Sequence, residues 1–221
     1  MKISVRGGHN EQARGAKGLI DEVVEDRKVK DAVIKYLKQL GHAVLDCTPG
    51  KMDNNSDLKY GVKKANDWGA DLFISIHFNN AYNTYSGALG TEVCVYKELA
   101  EAKRIVDGLG ALGFKNRGQK IRTGLYELKN TTMKAIIIEV CFVEAAKDVE
   151  LYKKLGADAI GKNIAESIAN KTVQAPKPKP STNETMFRVV CGTYKDRKNA
   201  EEQQKKLKSK GFDSFLVAYK E

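Results

Sequence analysis

Short apolar runs alternate with stretches of helical periodicity through most of the chain. The runs at residues 72–76 and 135–140 are each interrupted by a single polar residue. Runs of this kind are typical of strands in a sheet that is covered by other elements on both faces. We therefore predict an α/β fold, with a mixed, mostly parallel sheet flanked by helices.

The predicted elements alternate in a regular order. Val29, Val33 and Leu37 recur at helical spacing, and the helix that they indicate should end at Gly41, where a left-handed cap is favoured. Helices are predicted at residues 21–39, 57–66, 99–112 and 148–170. Strands are predicted at residues 2–5, 42–45, 71–76 and 92–96, and in the run that ends near residue 139.

A proline-rich segment divides the chain. Residues 174–185 hold three of its four prolines, at alternate positions, and no large apolar residue, which is the composition of an extended linker. Residues 1–173 would form one domain. Residues 186–221 would form a small β-α-β module, with strands at 186–194 and 212–219 around a helix at 196–210.

Charge and cysteine usage narrow the possible classes of protein. The net charge of +10 would attract polyanions such as nucleic acid, anionic lipid or a teichoic-acid-bearing wall. The four cysteines are scattered without C-x-x-C pairing, so neither a disulfide framework nor a thiolate zinc site is indicated. No run is apolar enough for a membrane span or a secretory signal, and we expect synthesis in the cytoplasm without stable membrane insertion.

Candidate metal ligands follow the predicted strands. His9 and His77 each come after a strand, and Glu139 lies at the end of a third. Open α/β sheets place ligand sites at this edge, and zinc in hydrolases takes three His, Glu or Asp ligands and leaves a position open. Surface polar residues could give the same spacing, so the pattern alone does not decide.

The order of motifs is more specific. The chain resembles the zinc-dependent N-acetylmuramoyl-L-alanine amidase family of phage endolysins and bacterial autolysins over nearly all of residues 1–170. Its motifs are Gly8-His9, G-A-x-G-x-x-x-E at 15–22, A-N-x-x-x-A-D-L-F-I-S-I-H-x-N at 65–79, Arg117-Gly118, L-x-x-L at 125–128 and I-x-E-x-x-F at 137–142. The block at 65–79 is the most specific of these.

The resemblance implies a role for each site residue. His9, Glu22 and His77 would bind Zn²⁺, and Glu139 would be the catalytic acid/base in hydrolysis of the amide between N-acetylmuramic acid and L-alanine of peptidoglycan. Glu25 competes with Glu22, but the family's spacing to the glycine that closes the helix favours Glu22.

Three further positions carry expectations about the substrate site. Asn79 and Arg117 are candidate substrate contacts, although packing or solvation would explain them equally well. The family usually has an arginine four residues before the Ala-Asn pair, where this chain has Gly61. The function of that arginine would be absent or replaced here.

The C-terminal residues resemble one repeat of a SPOR-type, peptidoglycan-binding domain. The resemblance rests on 187–189, 192–194 and 211–212. Because a complete SPOR-type domain contains two such units, and so small a unit rarely folds alone, we predict a homodimer through residues 186–221.

Other functions are compatible with parts of the sequence. A zinc peptidase could cut within the stem peptide instead, and the basic charge could indicate a nucleic-acid-binding protein. We expect no nucleic-acid partner, because the aromatic residues of the module could as easily be core as stacking platforms. The expected setting is a lysis enzyme, such as a phage endolysin, that reaches the wall after the membrane is breached.

Overall fold

The computed structural model describes residues 1–174 and 189–218. The chain divides into two compact units, Met1–Gln174 and Ala175–Glu221. Each is described by itself.

The first unit is built on one six-stranded sheet. Its strands lie in the order β2-β1-β3-β6-β4-β5, and every neighbouring pair is parallel except β4 and β6. The strands are β1 (Lys2–Gly7), β2 (Ala43–Asp46), β3 (Leu72–Asn79), β4 (Thr91–Val95), β5 (Asn116–Ile121) and β6 (Lys134–Phe142). The prediction of a mixed, mostly parallel sheet is confirmed.

Six helices accompany the sheet, and its two faces are both buried. They are α1 (Glu22–Gln39), α2 (Asn54–Trp68), α3 (Ala100–Ala111), α4 (Tyr126–Asn130), α5 (Ala146–Leu155) and α6 (Ala157–Ala169). Ile74 and Ile136 point into the larger core cluster, with α1, α3 and α6. Phe73 and Ile137 point the opposite way, into a smaller cluster that includes Leu128 of α4. This alternation explains why the strands are apolar throughout.

Two features of this unit differ from the sequence prediction. The helix expected at 148–170 is two helices, α5 and α6, that break at Gly156, whose φ of 78° favours glycine. The sequence also did not predict β5 or α4. Strand β5 lies at the edge of the sheet and lacks an apolar run, and α4 spans only five residues, too few for a periodic signal.

The second unit contains one helix among its described residues, α7 (Arg197–Ser209), close to the predicted 196–210. No strand forms at 189–194 or 212–218, so the β-α-β prediction is wrong there; residues 186–188 and 219 lie outside the described residues. A strand needs a neighbour for its backbone groups, and a single repeat supplies little to pair with. Among the described residues of this unit, seven large apolar side chains are exposed as a result: Val189, Val190, Tyr194, Phe212, Phe215, Leu216 and Val217.

All four cysteines are free; Cys47, Cys94 and Cys141 are buried, and Cys191 is exposed. Among the helices of the described residues, none is long and apolar enough to cross a membrane.

Candidate metal centre

The fold brings His9, Glu22 and His77 together. His9 follows β1, Glu22 begins α1, and His77 lies in β3, which pairs in parallel with β1. Ligand atoms of the three side chains lie within 4.8 Å of one another. His77 Nδ1 is 3.0 Å from Glu22 Oε1, and His9 Nε2 is 3.7 Å from Glu22 Oε2. These three residues are the set expected from the sequence.

Backbone amides fix the carboxylate of Glu22. Its two oxygens accept hydrogen bonds from the amides of Ala16, at 2.6 Å, and Phe78, at 3.1 Å. Burial opposes ionisation, but the hydrogen bond and charge of His77 hold the pKa of Glu22 below its usual value. Glu25 instead accepts a hydrogen bond from the Tyr152 hydroxyl at 2.7 Å. Only Glu22 of the two competing glutamates therefore faces the histidines.

Glycines make room for this cluster. A Cβ on Gly8 would lie 2.1 Å from Cε1 of His77, and a Cβ on Gly15 would lie 2.1 Å from Oε2 of Glu22. Either is far inside a normal contact distance. At both glycines the backbone thus passes the candidate ligand side chains more closely than any other residue type would permit.

The backbone at His9 is held in an uncommon conformation. His9 has φ of 53°, and Arg27 donates hydrogen bonds to the carbonyl oxygens of both Gly8 and His9. Burial and the neighbouring His77 lower the pKa of His9, which favours the neutral ring that a metal requires.

Glu139 lies beside the cluster, in register with His77 across β3 and β6. Its Oε2 is buried and has no hydrogen-bond partner among the described residues. Burial, opposed by His77 and reinforced by the nearby Glu22 and Glu92, raises the pKa of Glu139 to about 7. A carboxyl group in this state can both accept and release a proton near neutral pH.

The other nitrogen of His77 faces two residues that the sequence analysis did not single out. Nε2 is 3.0 Å from Ser75 Oγ and 3.8 Å from Glu127 Oε2. Burial disfavours charge on His77, but its hydrogen bonds to Glu127 and Glu22 raise its pKa well above the usual value. Burial alone would raise the pKa of Glu127, but the charge of Arg6 and the hydrogen bond and charge of His77 lower it to about 2.

Asn79 and Arg117 both donate hydrogen bonds to the carboxylate of Glu92. Asn79 Nδ2 donates to Glu92 at 3.2 Å, and Arg117 Nε donates to the other oxygen of Glu92 at 2.7 Å. The Arg117 guanidinium also lies 5.0 Å from the ring centroid of Phe142. These contacts provide a packing role for both residues, and their contact with substrate stays a prediction.

The fold and the site together define an α/β domain with a candidate metal centre at the carboxyl edge of its sheet. Residues 3–170 match the family described as N-acetylmuramoyl-L-alanine amidase, and the chain belongs to that family. A second match, to the SPOR domain, covers residues 147–218. It begins within α5, upstream of the predicted module.

The chain is also similar to bacterial proteins. The chain is 25% identical over 224 residues to the sporulation-specific N-acetylmuramoyl-L-alanine amidase of Bacillus subtilis, covering 98% of this chain and 84% of the relative. It is 54% identical to an uncharacterized protein of Clostridium perfringens, over 79% of this chain and 53% of the relative. The chain therefore spans about half the length of that clostridial relative.

A solved structure shares the fold of the first unit. The catalytic domain of the CD27L endolysin targeting Clostridia Difficile is 32% identical, with a TM-score of 0.71, and the match covers 79% of this chain and 99% of that domain.

Proposed function

We propose that this protein is a zinc-dependent N-acetylmuramoyl-L-alanine amidase that hydrolyses the amide between N-acetylmuramic acid and the L-alanine of peptidoglycan. The observation that carries the proposal is the cluster of His9, Glu22 and His77, with ligand atoms within 4.8 Å, beside Glu139 in a chain of the amidase family.

Zinc fits the residues present. Two imidazoles and one carboxylate form a donor set that catalytic zinc sites use, and the glycines at positions 8 and 15 leave the space that the ligands need. Bound zinc would polarise the scissile carbonyl and make water a competent nucleophile at neutral pH.

Glu139 would move the protons. Its unpartnered carboxylate oxygen faces no protein donor among the described residues, so it is free to accept a proton from the attacking water. It would then donate that proton to the leaving amine nitrogen, which frees the amino group of L-alanine. A pKa of about 7 suits both transfers.

Product analysis tests the proposal. Purified peptidoglycan treated with the zinc-loaded chain should gain L-alanine amino termini without new muramic reducing ends. New amino termini on other stem residues would instead identify a peptidase. The Glu139→Gln variant should bind zinc as the wild type does but lose turnover by about 10²–10⁴-fold. Comparable turnover in this variant would contradict the assignment of Glu139.

We propose further that the second unit binds peptidoglycan and joins two copies of the chain. The SPOR match supports wall binding. Exposed apolar side chains support self-association, because Val189 is 85% exposed and Phe215 is 76% exposed. Covering apolar surface of this kind with a partner lowers the free energy of the system.

Sedimentation tests the dimer. The full chain should sediment as a dimer at micromolar concentration, and the Phe215→Glu variant, which places a charge on that surface, should shift toward monomer. A monomeric wild type would rule out the homodimer without affecting the proposed reaction.

A further inference from the structure

A buried charge network lies behind His77. Arg6 in β1 is fully buried, and its guanidinium pairs with Asp57 of α2 and, at 3.1 Å, with Glu127 of α4. Glu127 is only 3% exposed. An isolated carboxylate at such a position would be costly, and Arg6 offsets that cost by pairing with it.

Position 61 makes room for this arginine. A Cβ on Gly61 would lie 2.8 Å from Arg6 Nη1 and 3.1 Å from Arg6 Cδ. The guanidinium from β1 therefore occupies the space beside α2 that a side chain at position 61 would fill. The departure from the family pattern at Gly61 thus coincides with a buried arginine supplied by another element.

The network reaches the metal-ligating histidine through Ser75 and Glu127. Ser75 Oγ donates to Glu127 Oε1 at 3.3 Å and lies 3.0 Å from His77 Nε2, so the hydroxyl can accept the Nε2 proton. Nδ1, the opposite nitrogen, faces Glu22 at 3.0 Å. Ring nitrogens of metal-bound histidines typically divide their roles in this way, with one binding the metal and the other donating to an outer carboxylate or its relay.

We propose that Glu127, acting with Ser75, is a positioning residue that fixes the tautomer and ring orientation of His77, and that Arg6 holds Glu127 in place for this role. The inference rests on the proposed zinc centre. It assigns a function to α4 and to the buried Arg6.

Zinc affinity tests this role without reference to turnover. The full-length Glu127→Gln and Ser75→Ala variants would be titrated with zinc against a chromophoric chelator, and circular dichroism of the zinc-free proteins would check folding. We expect zinc affinity to fall about 10–100-fold in each. Asp148→Asn is the matched control, because Asp148 is also buried but its carboxylate accepts hydrogen bonds from backbone amides, among them those of Leu89 and Gly90, and not from Ser75 or His77. Its affinity should stay within about twofold of wild type.

A spectroscopic readout separates positioning from a general loss of stability. The visible absorption of the cobalt(II)-loaded protein should change in Glu127→Gln and Ser75→Ala but not in Asp148→Asn. Folded variants with wild-type zinc affinity and an unchanged cobalt spectrum would overturn the inference. If Glu127→Gln does not fold, Ser75→Ala decides, because it leaves the Arg6–Glu127 pair intact. Failure of the wild type to bind zinc would instead overturn the proposed metal centre.

Discussion

Replacing Gly8 by alanine adds one methyl group against the face of the His77 ring. The new Cβ would lie 2.1, 2.4 and 2.5 Å from Cε1, Nδ1 and Nε2 of that ring. Ordinary contacts begin near 3.4 Å, so the ring must retreat by about 1.3 Å, the difference between 3.4 and 2.1 Å. Metal–ligand distances tolerate deviations of only about 0.2 Å, so a ring displaced this far cannot keep its place in the site.

The expected effect is a loss of zinc affinity of at least about a hundredfold, equivalent to about 2.8 kcal/mol at about 1.4 kcal/mol per tenfold. Overpacking should also lower the free energy of unfolding by about 1–3 kcal/mol. Chelator competition measures the affinity, and chemical denaturation of the zinc-free protein measures the stability.

Gly124→Ala provides the control, because a Cβ at that position meets nothing within 4 Å and Gly124 does not have a positive φ. This variant should match the wild type in both measurements. If Gly8→Ala binds zinc within twofold of the wild type while folded, the close approach of Gly8 to His77 does not shape the metal centre, and the reasoning from that distance fails.

Three further predictions follow from the same structure. Gly161→Ala should lower the free energy of unfolding by about 1–3 kcal/mol, because its Cβ would lie 2.4 Å from Ala32 Cβ where α6 packs on α1; a denaturation midpoint equal to that of Gly124→Ala would contradict this. The value of kcat/KM should fall as the pH drops below about 7, because Glu139 must be deprotonated to act as a base; its pKa is about 7 without metal, and the charge of bound zinc would move the fall toward lower pH, so a profile that is flat from about pH 4.5 to 8 would count against that role. His77→Ala should lose bound zinc outright, as measured by metal content, and retention of one zinc per chain would refute its role as a ligand.

Much of the first unit could be predicted from local sequence pattern. Strands β3 and β6 are buried on both faces, so their apolar runs stand out against the helical periodicity of α1. His9, His77 and Glu139 follow or end such runs, and parallel pairing of β1, β3 and β6 then brings them to one region. Glu22 required the family's motif order, because two glutamates share the first turn of α1.

The second unit shows the limit of pattern reading. Alternation of apolar and polar residues indicates that a segment could be a strand, but a strand forms only where another strand satisfies its backbone groups. The described residues 189–194 and 212–218 form no such pairs, although the sequence predicts strands there.

What the sequence determined by itself is therefore most of the order of elements in the first unit and, through the family's motifs, the candidate ligands of its metal centre, since both depend on periodicity and motifs that are local in the chain. Only the tertiary structure decided that Arg6, Asp57 and Glu127 meet behind His77 and that Gly61 gives them room. Arg6, Asp57 and Glu127 come from three separate elements, β1, α2 and α4, and show no shared pattern in the sequence. Their ion pairs depend on how the helices pack on the sheet, and a one-dimensional reading does not contain that geometry.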